Sequence, residues 1–313
     1  MNRKFILGTR GSELALWQAE YVKSLLEKRV KNIRIELKII KTKGDKILDV
    51  ALSKIGDKGL FTKELENKLL SREIDFAVHS LKDMETKLDG RLIIGAITKR
   101  HKINDVIISK RRNLTIARIP FNGTVATGSL RRKAQLLHLR PDLQVFELRG
   151  NVPTRIQKYL DSDWDAIILA AAGVERLGLQ KHISSVIPKS QFLPAIGQGA
   201  IAVECRASDH ELISHLEKIN HLNTEISVKA ERAFLRKLEG GCQVPIAAYG
   251  FVKNKKLLLT GRILSLDGSI SFEHQVSGSM NEPEKLGEKL ADKLLSAGAG
   301  KILREIIKQT RLQ

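Results

Sequence analysis

The 313-residue chain is predicted to be an α/β protein in which two α/β units precede a smaller α+β unit. Three observations carry that reading. The first hundred or so residues alternate strand-like with helix-like patterns, the alternation restarts at about residue 104, and the order changes from about residue 220. A chain of this length is long for one domain, and its 42% hydrophobic and 28% charged residues are those of an ordinary globular protein.

RKFILGTR reads as the first strand. SELALWQAEYVKSLLEK follows with apolar residues at Leu14, Trp17, Tyr21, Val22 and Leu25, a helical stripe, and with Ser12 as N-cap. IRIELKIIKT is a second strand and FTKELENKLLS a second helix; IDFAVHSL and RLIIGAIT complete a βαβ-type region expected to form a parallel sheet. In the second unit DVIIS, TVATGS, QVFELRG and DAIILAA are strands, and SLRRKAQLLHL, VPTRIQKYL and GVERLGL are helical. The third region starts with the helix-like TEISVKAERAFLRKLE. KKLLLTGRILS and SISFEHQVS follow as antiparallel strands, and a long C-terminal helix ends it.

No stretch approaches the roughly 20 apolar residues of a membrane span. The start, MNRKFILGTRGSE, has too short an apolar segment for a secretory signal, so a cytoplasmic location is expected, with both cysteines as thiols. Cys205, at the end of AIAVEC, reads as a small buried hydrophobe. Neither cysteine has a second Cys or a His at metal-ligand spacing, so no metal site is expected. The net charge of +19 raises nucleic acid as a partner, but aromatics are only 4% and no run of five or six basic residues occurs. An anionic small molecule explains the arginines better.

Ligands in open α/β sheets bind beyond the carboxyl ends of strands, which is where the unusual residues fall. HSLKDMET places His79, Ser80, Lys82 and Asp83 beyond IDFAV. Asp83 either caps a local turn or stands beside the Lys82 ammonium for proton transfer or for stabilising a cation. His79 reads as a structural hydrogen bonder. In TGSLRR, Gly128 permits a tight turn after Thr127, and Ser129 caps a helix whose first turn holds Arg131 and Arg132. Cations there oppose the helix dipole, so they suit a carboxylate or phosphate ligand; the alternative is a surface pair facing water. Arg149 in RGNVPTR, Arg176 in AAAGVERLG and Arg10 in GTRGSE come from three further strand ends, with Arg155 on the helix after Arg149. Guanidinium forks match carboxylates, so this set points to a ligand with many of them. The glycine-punctuated loops GDKGLF and LPAIGQGA match neither a P-loop nor GxGxxG, so nucleotide cofactors lack support. LEGGCQVP displays Cys242 on an open turn between two glycines and a proline.

Together the segments TRGSELALWQ, TKGDKILD, GDKGLFTKELE, DFAVHSLKD, TGSLRRKAQLL, LRGNVPTR, DAIILAAAGVERLGL, LPAIGQGAIAVECR and LEGGCQVP closely resemble the porphobilinogen deaminase (hydroxymethylbilane synthase) family. They run in family order over about three-quarters of the chain. Met84 and Glu85 depart from the usual Val-Pro, Gly128 from a frequent Ser, and Pro153 from a small residue. These departures bear on loop stiffness and the local field without removing a proposed catalytic group.

The resemblance implies two periplasmic-binding-protein-like α/β domains, 1–99 with 194–217 and 100–193, followed by a C-terminal α+β domain, 218–313. It implies a transferase that joins four porphobilinogens head to tail with loss of ammonia, then releases hydroxymethylbilane with water. The family position of Cys242 carries a dipyrromethane cofactor through a thioether. Asp83 becomes catalytic with Lys82, while Thr127, Ser129, Arg131 and Arg132 hold the cofactor. Arg10, Ser12, Lys58, Arg149, Arg155 and Arg176 bind substrate, Lys58 from its glycine loop. A monomer, with neither nucleic acid nor membrane as partner, is implied. A two-domain anion-binding or sensor protein on the same fold is the competing reading, and a nucleic-acid binder the third. Cys242 and Asp83 discriminate, since a simple binder needs neither.

Overall fold

Strand β1 (Lys4–Thr9) lies inside a five-stranded sheet in this computed structural model, which describes residues 3–42, 44, 59, 61–238 and 244–311. The order is β2 (Arg34–Ile39), β1, β3 (Phe76–Ser80), β10 (Ile201–Arg206), β4 (Leu92–Ile97). β1 pairs in parallel with β2 and β3, whereas β10 is antiparallel to both β3 and β4. The sheet expected to be parallel is therefore mixed. The reason is topological: the chain re-enters at the carboxyl edge of β3, where Leu81 N donates to Ala200 O at 3.1 Å, and can only run back across the sheet. All six residues of β10 are buried.

Helix α1 (Glu13–Arg29) packs on one face together with α6 (His210–Glu217), and α2 (Lys63–Leu70) sets Leu65 and Leu69 on the other. Ser12 caps α1 as expected, accepting from Ala15 N at 3.4 Å. The buried stripe of α1 is Ala15, Gln18, Ala19, Val22 and Leu26, rotated from the one read in the sequence. Small alanines let the helix approach the sheet closely, and the stacked rings of Trp17 and Tyr21 are left half-buried at the margin.

The second sheet repeats the arrangement: β7 (Gln144–Phe146), β6 (Thr124–Ala126), β8 (Ala166–Ala170), β5 (Asp105–Ile108), β9 (Ile183–Val186). β6 is parallel to β7 and β8, and β5 runs antiparallel to β8 and β9. Helix α3 (Leu130–Leu139) covers one face; α4 (Val152–Leu160) and α5 (Ala171–Arg176) cover the other. Pro153 stands in the first turn of α4, where its missing N–H costs nothing.

Three antiparallel strands, β11 (Ile246–Lys253), β12 (Lys256–Leu264) and β13 (Ser271–Ser279), form the last sheet. Asn254 and Lys255 turn the first hairpin with φ of 51° and 58°. Helices α7 (Leu222–Lys237), α8 (Pro283–Leu294) and α9 (Gly300–Arg311) complete this part. The single long C-terminal helix read in the sequence is thus two. A π-helical turn, Leu295–Ala299, separates them, and Gly298 at φ 109° takes a conformation that a side chain would resist.

The observed class is the expected α/β one, two five-stranded mixed sheets flanked by helices with a small C-terminal α+β part. Among the described residues, those up to 101 with 199–225 form one compact unit, and 102–198 with 226–311 form another. None of the described helices is long and apolar enough to cross a membrane.

Candidate functional site

In the first unit, β3 ends at Ser80 and a 3-10 turn, Leu81–Asp83, follows. Leu81 and Met84 are buried and pin the turn from both sides, which leaves Asp83 between them exposed. Met84 N donates to Leu81 O at 3.2 Å, so backbone closes this turn. Among the described residues no hydrogen bond or ion pair engages the Asp83 carboxylate, and the turn-capping alternative has no contact behind it. Lys82 is half-buried beside it. Upstream, the buried Gln18 amide donates to Ser80 Oγ at 2.8 Å and fixes the strand end.

His79 Nε2 lies 3.1 Å from Glu204 Oε2 on β10, with both side chains buried, in keeping with a structural role. Burial holds the half-buried Glu66 carboxyl above its usual range, and the negative charges of Glu204 and Glu85 add to that shift. Glu85, where the family usually has proline, thus puts a carboxylate into a pre-existing acidic neighbourhood. A methyl group on Gly59 would lie 3.1 Å from Glu85 Oε1. Arg10 follows β1 and sets its guanidinium 4.2 Å from the centre of the Phe61 ring. Lys58 and Cys242 lie outside the described residues.

In the second unit the parallel strands β6, β7 and β8 bring their carboxyl ends to one edge. Thr127 and Ser129 follow β6, Arg149 follows β7, and Arg176 ends α5 after β8. Ser129 caps α3, accepting from Arg132 N at 3.4 Å. A Cβ on Gly128 would stand 2.5 Å from Leu148 O, so the loops after β6 and β7 touch only because this residue has no side chain. That close approach accounts for glycine where the family often has serine.

Arg131 and Arg132 do not face water; each is 5% exposed. Asp105, the first residue of β5, holds both. Arg132 Nη2 donates to its Oδ1 at 2.8 Å, and Arg131 Nη2 lies 2.8 Å from its Oδ2. Arg131 Nη1 also donates to Leu193 O at 2.6 Å, and Arg132 Nη1 to Ile168 O at 3.1 Å. Burial alone would raise the Asp105 carboxyl, but the two guanidiniums overcome it and hold it at about 2. Burial presses the Arg131 guanidinium below its usual value, against the pull of Asp105. Two guanidiniums against one carboxylate leave one net positive charge in a dry setting.

Arg149 Nε lies 3.6 Å from Glu147 Oε1, and its buried Nε and Nη2 have no hydrogen-bond partner among the described residues; Arg131 Nε is buried and likewise unmatched. Arg155 is turned toward its own helix start, donating from Nε to Gly150 O at 2.7 Å. Asp105 escaped the sequence reading because it opens the strand-like DVII, where a lone carboxylate on an apolar strand was its only signal.

Residues 5–214 match the family described as "Porphobilinogen deaminase, dipyromethane cofactor binding domain", and residues 226–296 match "Porphobilinogen deaminase, C-terminal domain". The chain belongs to the porphobilinogen deaminase family. It is 52% identical over 304 residues to the porphobilinogen deaminase of Moorella thermoacetica, covering 97% of each chain. It is 50% identical over 306 residues to that of Desulforamulus reducens, covering 98% of this chain and 99% of the other. Among solved structures it is similar to the methionine binding protein MetQ at 14% identity, with a TM-score of 0.44 over 69% of this chain and 88% of that one. Porphobilinogen deaminases are transferases that polymerise porphobilinogen to hydroxymethylbilane in tetrapyrrole biosynthesis, and the matched N-terminal domain is their dipyrromethane-binding one.

Proposed function

We propose that this chain condenses four porphobilinogens head to tail on a dipyrromethane attached through a thioether to Cys242, then releases hydroxymethylbilane with water. The observation that carries the reading is the excess of buried, unmatched guanidinium donors at one sheet edge: Arg149 Nε and Nη2, Arg131 Nε, and the net positive charge around Asp105. Buried N–H groups without acceptors are costly, and carboxylates are the acceptors that guanidinium forks fit best. Every pyrrole ring of cofactor and substrate carries an acetate and a propionate, so these residues fit the group.

The dipyrromethane supplies the terminal pyrrole carbon to which porphobilinogen is joined. Thr127, Ser129, Arg131 and Arg132 hold its carboxylates. Arg10, Ser12, Lys58, Arg149, Arg155 and Arg176 bind and orient those of the incoming pyrroles. Asp83, exposed and without a competing partner among the described residues, presents its carboxylate to the cation that forms when ammonia leaves. The same carboxylate, with Lys82 beside it in support, shuttles the proton with which the amine departs.

The domain division 1–99 with 194–217, 100–193 and 218–313 belongs to the same proposal, supported by a separate sheet in each span. So do a cytoplasmic location, a monomeric state and the absence of a nucleic-acid partner. Ammonia release tests the reaction: the purified chain should release one ammonia per porphobilinogen consumed. Consumption without ammonia contradicts the proposed reaction, and no consumption at all favours a simple anion binder.

A further inference from the structure

We infer that Asp105 is the positioning residue for the two arginines at the start of α3, fixing their aim and trimming their charge to the single positive unit that one cofactor carboxylate neutralises. The inference rests on the cofactor-holding role proposed for Arg131 and Arg132. Its origin is the topology. β5 runs antiparallel to β8, and Asp105 pairs with Ala170, the last residue of β8. A first residue is thereby carried to the edge where the parallel strands end.

The contacts divide the carboxylate between the two guanidiniums. Oδ1 accepts Arg132 Nε at 3.1 Å, Arg132 Nη2 at 2.8 Å and Gln198 Nε2 at 3.1 Å. Oδ2 is left to Arg131 Nη2 at 2.8 Å. Each guanidinium has a second anchor on a backbone carbonyl, Leu193 O for Arg131 and Ile168 O for Arg132. A planar fork held at two points has one orientation, so the donors that remain are aimed before a ligand arrives. Removing the carboxylate would leave two buried like charges side by side, which repel and lose their common reference point.

The test compares wild type with Asp105→Asn, Asp105→Glu and Arg132→Leu, purified identically as full chains. Intact mass gives the fraction carrying dipyrromethane, and thermal melting of the unloaded fraction in rising sulfate reports the uncompensated charge. Asp105→Asn should lower the loaded fraction by about tenfold or more. Its melting temperature should climb more steeply with sulfate than that of wild type, which a purely structural loss would not produce. Asp105→Glu keeps the charge but moves it by a methylene, and should load to an intermediate extent. Asp105 variants that load as wild type does overturn the inference. Should Asp105→Asn lack a cooperative melt, a folded Asp105→Glu that loads like wild type overturns it alone. Normal loading of Arg132→Leu as well would mean that the arginine cradle itself has failed. Impaired loading of that variant alone would sink only the part given to Asp105.

Discussion

Two nitrogens of Arg132, Nε at 3.1 Å and Nη2 at 2.8 Å, donate to the same oxygen of Asp105, leaving the other oxygen to Arg131. The pair makes stability depend on acid. Asp105 is held at about 2 against an ordinary 3.8, because the guanidinium charges outweigh its burial. A carboxyl lowered on folding stabilises above its unfolded value and loses that contribution as pH falls through its folded value. Urea unfolding of wild type and Asp105→Asn should therefore show a gap that is constant above about pH 5 and closes by about 2 kcal/mol toward pH 2. An equal gap at pH 7 and pH 2 would mean that the carboxylate is not charged against the arginines.

Asp83→Asn should keep the fold and lose most turnover. The side chain is exposed and engages no described neighbour, so its melting temperature should stay close to wild type. Losing one well-placed electrostatic group costs about 10²–10³ in rate. Near wild-type turnover of porphobilinogen would remove Asp83 from the chemistry.

Strand ends were legible in the sequence because apolar runs such as DAIILAA stop abruptly at polar or glycine residues, and the functional candidates follow those stops. Ser12 and Ser129 could be read as caps because N-capping is local chemistry. What could not be read depends on contacts distant in sequence. β10 turns the first sheet mixed, and nothing in AIAVEC states its direction. Asp105 meets Arg132 across 27 positions, so neither half announces the other. The buried stripe of α1 differs from its apolar stripe because Ala15 and Ala19 bury as closely packed small residues while the larger Trp17 and Tyr21 stay at the margin.

Gly128→Ser should destabilise this chain even though the family often has serine there. The new Cβ would stand 2.5 Å from Leu148 O and 3.0 Å from Glu147 Oε1, and a backbone oxygen can yield only by moving its loop. Chemical denaturation should register a loss of about 1–3 kcal/mol, the usual cost of overpacking. Equal stability of the two proteins would mean that the loops after β6 and β7 separate freely.

Arg149→Leu should leave folding intact and weaken handling of the growing chain. Among the described residues Arg149 makes only a long contact with Glu147, and two of its buried nitrogens lack hydrogen-bond partners there. A hydrogen bond to a charged group contributes about 1.5–3 kcal/mol, so KM or kcat should suffer by roughly 10- to 150-fold. Arg149→His and Arg176→Leu under limiting porphobilinogen should also shift the distribution of protein masses during turnover. Kinetics and masses identical to wild type would mean that these arginines do not engage the growing chain.

Intact-protein mass tests the central claim most directly. Cys205 is buried, and burial pushes its thiol up to about 12, so it is a poor nucleophile and a poor anchor. Purified wild type should be heavier than its sequence by one dipyrromethane, Cys205→Ser should keep that mass and the activity, and Cys242→Ser should lose both. Wild-type protein of unmodified mass with full deaminase activity, or Cys242→Ser that still carries the added mass, would contradict the account.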